Sequence, residues 1–263
     1  MFRVITFNLN GIRSAAEKGA PAWVQRSDAD CMCVQEVRAQ EAQVSDFAHI
    51  GGLRGRFATA QRKGYAGVGI YTRREPSDVI VGMNAPEFDA EGRLIECRFD
   101  RPGKCFSIFS AYFPSGTSGD ERQQAKYRYL DLIFEHVRRL RGEREFILCG
   151  DFNIAHTKKD IKHWRGNLKH SGFLPEERAW MDDFLATGLI DVYRRLYPEA
   201  EGEGYTWWSN RGNARANNVG WRIDYQIATP AVAALARHAE VYKAQRFSDH
   251  APLIVDYDDE LLS

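Results

Sequence analysis

Phe146-Ile-Leu-Cys-Gly-Asp-Phe-Asn153 is the stretch that decides how this 263-residue chain reads. Its apolar run over 146–149 has strand character, stops at Gly150, and then delivers a carboxylate, Asp151, and a carboxamide, Asn153. On an extended backbone, side chains two residues apart leave on the same face. The pair is therefore expected at the mouth of a buried strand, where ligand sites of α/β folds lie. One such strand end also suits an ordinary turn, because Asp and Asn favour turns. The chain repeats the arrangement, however. Apolar runs over 2–7, 31–34 and 106–112 lead to Asn8, Glu36 and Tyr112. Asp224 opens the run over 223–228, and Ser248-Asp249-His250 precedes the run over 253–256.

Working outward, the length suits one large α/β domain over 1–263, with no repeat or linker to divide it. A hydrophobic content of 44% and a charged content of 27% are ordinary for a soluble protein. Lys+Arg and Asp+Glu both number 36, so any polyanion must be held by a local basic face rather than a global field. Cys31 and Cys33 are too close to bridge without strain and lack zinc-site spacing. Five cysteines, several inside apolar runs, read as reduced thiols of a cytoplasmic protein. The chain opens directly into a strand-like run, and no apolar run is long enough to span a membrane. A soluble monomer is expected.

Helices are expected over 15–25, 40–48 and 120–141; in the last, Tyr127, Leu130, Phe134, Val137 and Leu140 recur at helical steps. A further helix opens at Pro175-Glu176-Glu177, the expected proline and acidic first turn, and closes near Gly188. Strands over 56–60, 67–72, 79–83, 94–99 and 106–112 follow one another between turns. The regions 155–172 and 205–221 read as a long polar loop and a Gly-, Asn- and aromatic-rich segment. The fold class is α/β: a four-layer sandwich, two mixed β-sheets packed face to face and flanked by helices.

If the strand ends share one rim, they gather three or four carboxylates, two carboxamides, an imidazole and a phenol, without cysteine. Oxygen donors of this kind favour a hard cation such as Mg²⁺, with Mn²⁺ plausible, over zinc. A cation, a His–Asp pair and a further carboxylate suit phosphodiester hydrolysis. Each group also has an ordinary use: a solvated Glu36, a capped turn at Asp249 and His250, or a structural ion pair at Asp224.

Taken together, Thr6-Phe-Asn-Leu-Asn-Gly-Ile-Arg13, Val34-Gln-Glu-Val37, Ala111-Tyr-Phe-Pro114, Gly150-Asp-Phe-Asn-Ile-Ala-His156, Gly172-Phe-Leu-Pro-Glu-Glu-Arg178, Tyr205-Thr-Trp-Trp208, Asn217-Asn-Val-Gly-Trp-Arg-Ile-Asp-Tyr225 and Phe247-Ser-Asp-His-Ala-Pro252 resemble the exonuclease III family of abasic-site DNA repair nucleases. They run in family order over essentially the whole chain. The resemblance implies Glu36 as the main metal ligand, with Asn8, Asn10 and Asp249 at or near the metal. It implies a catalytic His250 held by Asp224, an Asp151 that positions or deprotonates the attacking water or instead protonates the leaving oxygen, and Asn153 and Tyr112 orienting phosphate. Trp207 and Trp221 would line an abasic-sugar pocket, with Phe173 a third wall and Asn167 touching DNA.

Lys158, Lys159, Lys162, Arg165 and Lys169 around Trp164, and Arg211, Arg215 and Arg222 beside the tryptophans, could hold phosphates next to stacking surfaces. The partner implied is double-stranded DNA with abasic sites or blocked 3′ ends. One departure stands out: Lys169-His-Ser-Gly-Phe173 carries His170 where close family members often have Asn. A bulkier ring there would favour 3′-end processing over internal incision, or would simply contact a phosphate from a solvated loop. Two rivals share parts of the pattern. A lipid or inositol phosphoesterase would not need the tryptophans and basic loop, and a silent DNA-binding module would not need the clustered carboxylates.

Overall fold

The structure, a computed structural model, describes residues 1–259. Strand alternation sets its layers. In Glu145–Asp151, Ile147 and Cys149 join one apolar cluster and Phe146 and Leu148 another. Ile147 and Cys149 meet Val4, Cys31, Cys33 and Ile108 between two sheets. Phe146 and Leu148 pack under the Asp120–Leu140 helix through Leu130, Ile133 and Val137. On the opposite side, Ile5, Phe7, Met32 and Val34 lie against Trp23 and Val24 of the Ala20–Ser27 helix. The result is four layers, helix–sheet–sheet–helix, as the patterning predicts.

The seven-stranded sheet runs Ala236–Val241, Leu253–Tyr257, Phe2–Asn8, Cys31–Gln35, Val68–Thr72, Leu53–Ala58, His49–Ile50. The six-stranded sheet runs Ile190–Asp191, Asp224–Ala228, Glu145–Asp151, Phe106–Tyr112, Leu94–Arg98, Asp78–Val81. Each has one central parallel pair, Phe2–Asn8 with Cys31–Gln35 and Phe106–Tyr112 with Glu145–Asp151, flanked by antiparallel strands. A parallel pair needs a crossover. Here the crossovers are the helices that cover the two outer faces, so both pairs end on one rim.

The layer between the sheets turns polar toward that rim. Val4, Cys33, Ile108 and Cys149 give way to Gln35 and Ser110, which close on themselves: Gln35 Nε2 donates to Ser110 Oγ at 2.9 Å and Ser110 Oγ to Val34 O at 2.9 Å. These bonds satisfy the Gln35 amide nitrogen and the Ser110 hydroxyl, while Gln35 Oε1 is buried without a partner. Beyond them come Asn8, Tyr112, Asp151 and Asp224.

Several boundaries differ from the sequence expectation. The helix expected over 15–25 is two, Ile12–Glu17 and Ala20–Ser27, because Gly19 takes a φ of 91° and Pro21 starts a new helix. The helix expected over 40–48 is the single turn Glu41–Val44 followed by a 3₁₀ turn at Ser45–Phe47. The strand placed at 56–60 is Leu53–Ala58. Ala236–Val241 escaped notice because an edge strand with exposed Arg237, His238 and Glu240 lacks an apolar run. The long loop contains a 3₁₀ turn, Lys158–Asp160, and a one-turn helix, Trp164–Asn167. Cys31, Cys33, Cys97 and Cys149 are buried, Cys105 is exposed, and all five are free. Among the described residues no helix is long and apolar enough to cross a membrane.

Candidate active site

At the end of Glu145–Asp151 the chain turns sharply. A Cβ on Gly150 would lie 2.2 Å from Ala111 O, so only glycine lets the parallel neighbour come this close. Asn153 is left-handed (φ 54°), and its backbone N–H donates to Asp151 Oδ1 at 2.9 Å. Asp151 and Asn153 therefore meet through a side-chain-capped turn, which corrects the expectation of an extended two-residue step. Asn153 Nδ2 also donates to Phe113 O at 3.0 Å and toward Asp151 Oδ2 at 3.4 Å.

Antiparallel register places Asp224 opposite Asp151. His250 enters from the loop before the last strand, and its Nδ1 lies 2.8 Å from Asp224 Oδ2, so Nδ1–H donates to that carboxylate. Nε2 is left facing Asp151 Oδ2 at 3.8 Å. Burial disfavours the imidazolium, but Asp224 and Asp151 more than reverse this and push its pKa up to about 10. Burial, reinforced by Asp224 and Glu36, pushes Asp151 up to about 7 against the opposing pull of His250. The charged imidazolium and the proton-poised carboxyl thus face each other at the rim.

Glu36 leaves Cys31–Gln35 in the left-handed region (φ 49°) and pairs with Arg38. Asn8 Nδ2 bridges two carboxylates, donating to Glu36 Oε1 at 2.9 Å and Asp151 Oδ2 at 2.7 Å. Its own oxygen accepts the Asn10 N–H at 2.9 Å. On the adjoining wall, Asn10 Nδ2 and Trp207 Nε1 donate to the two oxygens of Asp249 at 2.8 and 3.1 Å. Burial pushes the Asp249 carboxyl up, yet the charge of His250 and these two donors outweigh it and hold it low. Tyr112 stays a donor: burial, then Glu36 and Asp151, push its phenol well above its usual range. Arg93, buried, stacks 4.9 Å from the Tyr112 ring and donates to Tyr112 O at 2.9 Å.

Ligand atoms of Glu36, Asp151 and His250 lie within 4.8 Å of one another. The surrounding oxygen donors suit a hard divalent cation, which would relieve the part of the upward push on Asp151 that comes from the neighbouring carboxylates.

A cavity of about 360 Å³ opens over this rim. Trp207 and Trp221 form one wall as a T-shaped pair 6.0 Å apart on a two-stranded ribbon, Trp207–Trp208 with Gly220–Trp221. Trp208 N–H donates to Asp249 O at 3.2 Å and Ala251 N–H to Thr206 O at 2.7 Å, tying the ribbon to the loop that carries Asp249 and His250. Asn167, His170, Ser171 and Gly172 continue the lining, with Gly172 directly against the Trp221 ring. Two proposed substrate contacts lie elsewhere. Phe173 is fully buried behind the tryptophans, with Arg178 4.7 Å over its ring, so it backs the wall instead of lining it. Arg215 stacks 4.8 Å from the Trp208 ring outside this cavity, a position that the 205–221 sequence alone did not reveal. Arg222 is buried, bonded to Asp160 and Asp191 at 2.7 Å each, and faces no substrate. Lys158 and Arg165 each sit 4.4 Å from the Trp164 ring. Arg38, Ser115 and Thr117 line the cavity without having been singled out; Arg38, two residues beyond Glu36, was the readable one. A larger cavity of about 710 Å³ beside Tyr193 and Tyr197 contains none of these groups.

The Endonuclease/Exonuclease/phosphatase family matches residues 5–250, from the first strand through His250. The chain belongs to this family. Like it, an exodeoxyribonuclease of Bacillus subtilis (strain 168) is 32% identical over 255 residues, covering 95% of this chain and 97% of that protein. Among solved structures, an AP endonuclease from Archaeoglobus fulgidus superposes with a TM-score of 0.85 at 27% identity, over 98% of this chain and 100% of the other. A 3′-5′ exonuclease from Neisseria meningitidis gives 0.83 at 25% identity, over 98% and 100%. The two-sheet architecture is the family's, and its rim is where the polar groups collect.

Proposed function

We propose that this exonuclease III-type DNA repair nuclease breaks the P–O bond to a deoxyribose 3′ oxygen, at abasic sites and blocked 3′ ends of duplex DNA. The observation that carries the reading is one rim holding a His250–Asp224 pair, a proton-poised Asp151 and Glu36 beside a tryptophan-walled cavity. Residues 1–263 act as one catalytic unit.

His250, charged and oriented by Asp224, donates from Nε2 to a non-bridging phosphate oxygen. Tyr112 adds a second neutral donor. A water oxygen attacks phosphorus, its proton passes to Asp151, and the departing 3′ oxygen is protonated from solvent. Asn153 holds Asp151 through its backbone and side-chain amides. Glu36 and Asp151, with Asn8, Asn10 and Asp249 around them, would hold Mg²⁺; Mn²⁺ suits the same oxygens. The cation would neutralise developing phosphate charge and draw Asp151 back toward its ionised form. Trp207 and Trp221 give the deoxyribose an apolar wall, which a lipid or inositol phosphate would not require.

A second reading concerns preference. His170 stands on the cavity wall beside Asn167, where its ring narrows entry for an internal, extruded sugar while leaving 3′-terminal groups access. On this reading His170→Gly raises internal incision relative to 3′-phosphate release, measured on matched duplexes; an unchanged ratio rejects it. The nuclease reading is tested by Asp151→Asn and His250→Ala, folded variants of which lose hydrolysis of both duplexes.

A further inference from the structure

Away from the reacting groups, Lys126 and Glu177 form an ion pair with neither side chain exposed, Nζ to Oε1 2.6 Å. Neither residue lines the cavity. A buried pair of this kind brings little net stability over well-packed apolar side chains, so its connections matter more than its charge.

The Glu177 carboxylate accepts five hydrogen bonds. Oε1 takes Lys126 Nζ, Gln123 Nε2 (3.1 Å) and Ser171 Oγ (3.2 Å). Oε2 takes the backbone N–H groups of Gly172 (2.6 Å) and Leu174 (3.1 Å). Lys126 reaches the other way, donating to Asn153 O at 2.8 Å. One pair thus spans the Asp120–Leu140 helix, the cavity-wall loop around Gly172 and the turn that orients Asp151. Gly172 is the contact point. Its φ is 95°, and a Cβ there would lie 2.9 Å from the Trp221 ring and 3.0 Å from Asn153 O. Its carbonyl also accepts the Ala155 N–H at 2.8 Å. The Ser171 hydroxyl extends the connection to Gly116 N at 3.2 Å, beside Ser115 and Thr117 of the cavity.

We infer that Lys126 and Glu177 are positioning residues for hydrolysis: together they set the spacing between the Asp151–Asn153 turn and the Gly172–Trp221 wall. Glu177 fixes the wall, Lys126 fixes the turn, and their mutual contact makes one depend on the other. The inference uses the nuclease reading above for its kinetic readout and needs no substrate for its structural one.

The test uses the full chain with Glu177→Gln and with the double replacement Lys126→Met/Glu177→Met, which fills the same volume without charge. Melting temperature, kcat and KM on a duplex with a 3′-phosphate at a nick are measured with Mg²⁺, alongside amide exchange in metal-free protein. The double variant leaves the Gly172 and Leu174 N–H groups and the Asn153 carbonyl without their partner and is expected to melt roughly 5–15 °C below the parent. Its kcat falls on the order of 100-fold, the cost of misplaced reacting groups, with KM changed much less. In both variants the Asn153 N–H, which bonds Asp151 and not Glu177, loses exchange protection while the central strands keep theirs. A lower melting temperature with kcat intact would make the pair merely structural and overturn the inference, as would unchanged kcat and unchanged Asn153 protection. Should the double variant fail to fold, Glu177→Gln decides by the same two readings. Should the parent itself cleave no DNA, the nuclease reading fails, and Asn153 protection alone upholds or overturns the coupling.

Discussion

The two central strands end in the same turn and do different chemistry. Asn8-Leu9-Asn10 and Asp151-Phe152-Asn153 each place a side-chain oxygen 2.9 Å from the N–H two residues on. Each puts its third residue in the left-handed region, φ 45° and 54°, and buries the apolar residue between. The backbone rule is shared; the head group is not. Asn8 offers an amide that donates to both Glu36 and Asp151, whereas Asp151 is a carboxyl able to take or give a proton. Two carboxylates at these positions would repel with no donor between them, and two amides would leave nothing to accept the water's proton. A symmetrical scaffold thus yields an asymmetrical site through one atom's difference.

Making the ends alike is the strongest way to break this account. Asp151→Asn preserves the turn, because Asn8 shows that an amide oxygen accepts the same N–H, yet it removes the proton acceptor. kcat should fall about 10³-fold, within the usual range for general acid–base groups, while the metal-free protein melts no lower than the parent. Asp224→Asn removes the carboxylate that orients His250 and keeps it charged, and should cost about 10²-fold in kcat, with KM little changed. Asn8→Asp replaces the bridging donor by a further buried carboxylate. We expect a loss of about 2 kcal/mol of stability in chelator, recovered in part on adding Mg²⁺, by thermal or denaturant unfolding. No recovery would count against a cation at this rim.

The smallest effects are in pH dependence, where two buried regions should differ in sign. Asp151 is raised toward 7 and His250 toward 10, so the folded state binds more protons than the unfolded. Metal-free stability from these groups is present at low pH and is lost as pH rises, from about 4 for the carboxyl and about 6.5 for the imidazole upward. At Asp160, burial pushes the carboxyl up, but Arg222 and Arg194 outweigh it and hold it far below the ordinary range. Its stabilisation is complete above about 4 and is lost as pH falls below that. Melting curves of the parent and Asp151→Asn across pH 3–9 separate the two: the variant should lose the part of the decline that begins at about pH 4, and keep both the later His250 part and the acid loss from Asp160.

The strand ends were readable because alternation and glycine placement are local. Asp151, Asp224 and His250 announced themselves by chemistry at the ends of apolar runs. What stayed hidden depended on tertiary contact. Glu177 read as an ordinary acidic first turn, and only the fold shows its carboxylate buried among five donors. Phe173 and Arg215 sat in the right segments, yet packing turned one behind the wall and the other onto Trp208. The Ala236–Val241 edge strand had no pattern to read, because half its side chains face solvent.

The most direct single measurement compares Mg²⁺ with chelator for the parent and Asp151→Asn, on duplexes carrying an internal abasic site or a 3′-phosphate at a nick. The parent is expected to cleave the P–O3′ bond of at least one duplex only with metal, and the variant to lose about 10³-fold. Cleavage that persists in chelator, or a folded Asp151→Asn protein as active as the parent, would contradict this.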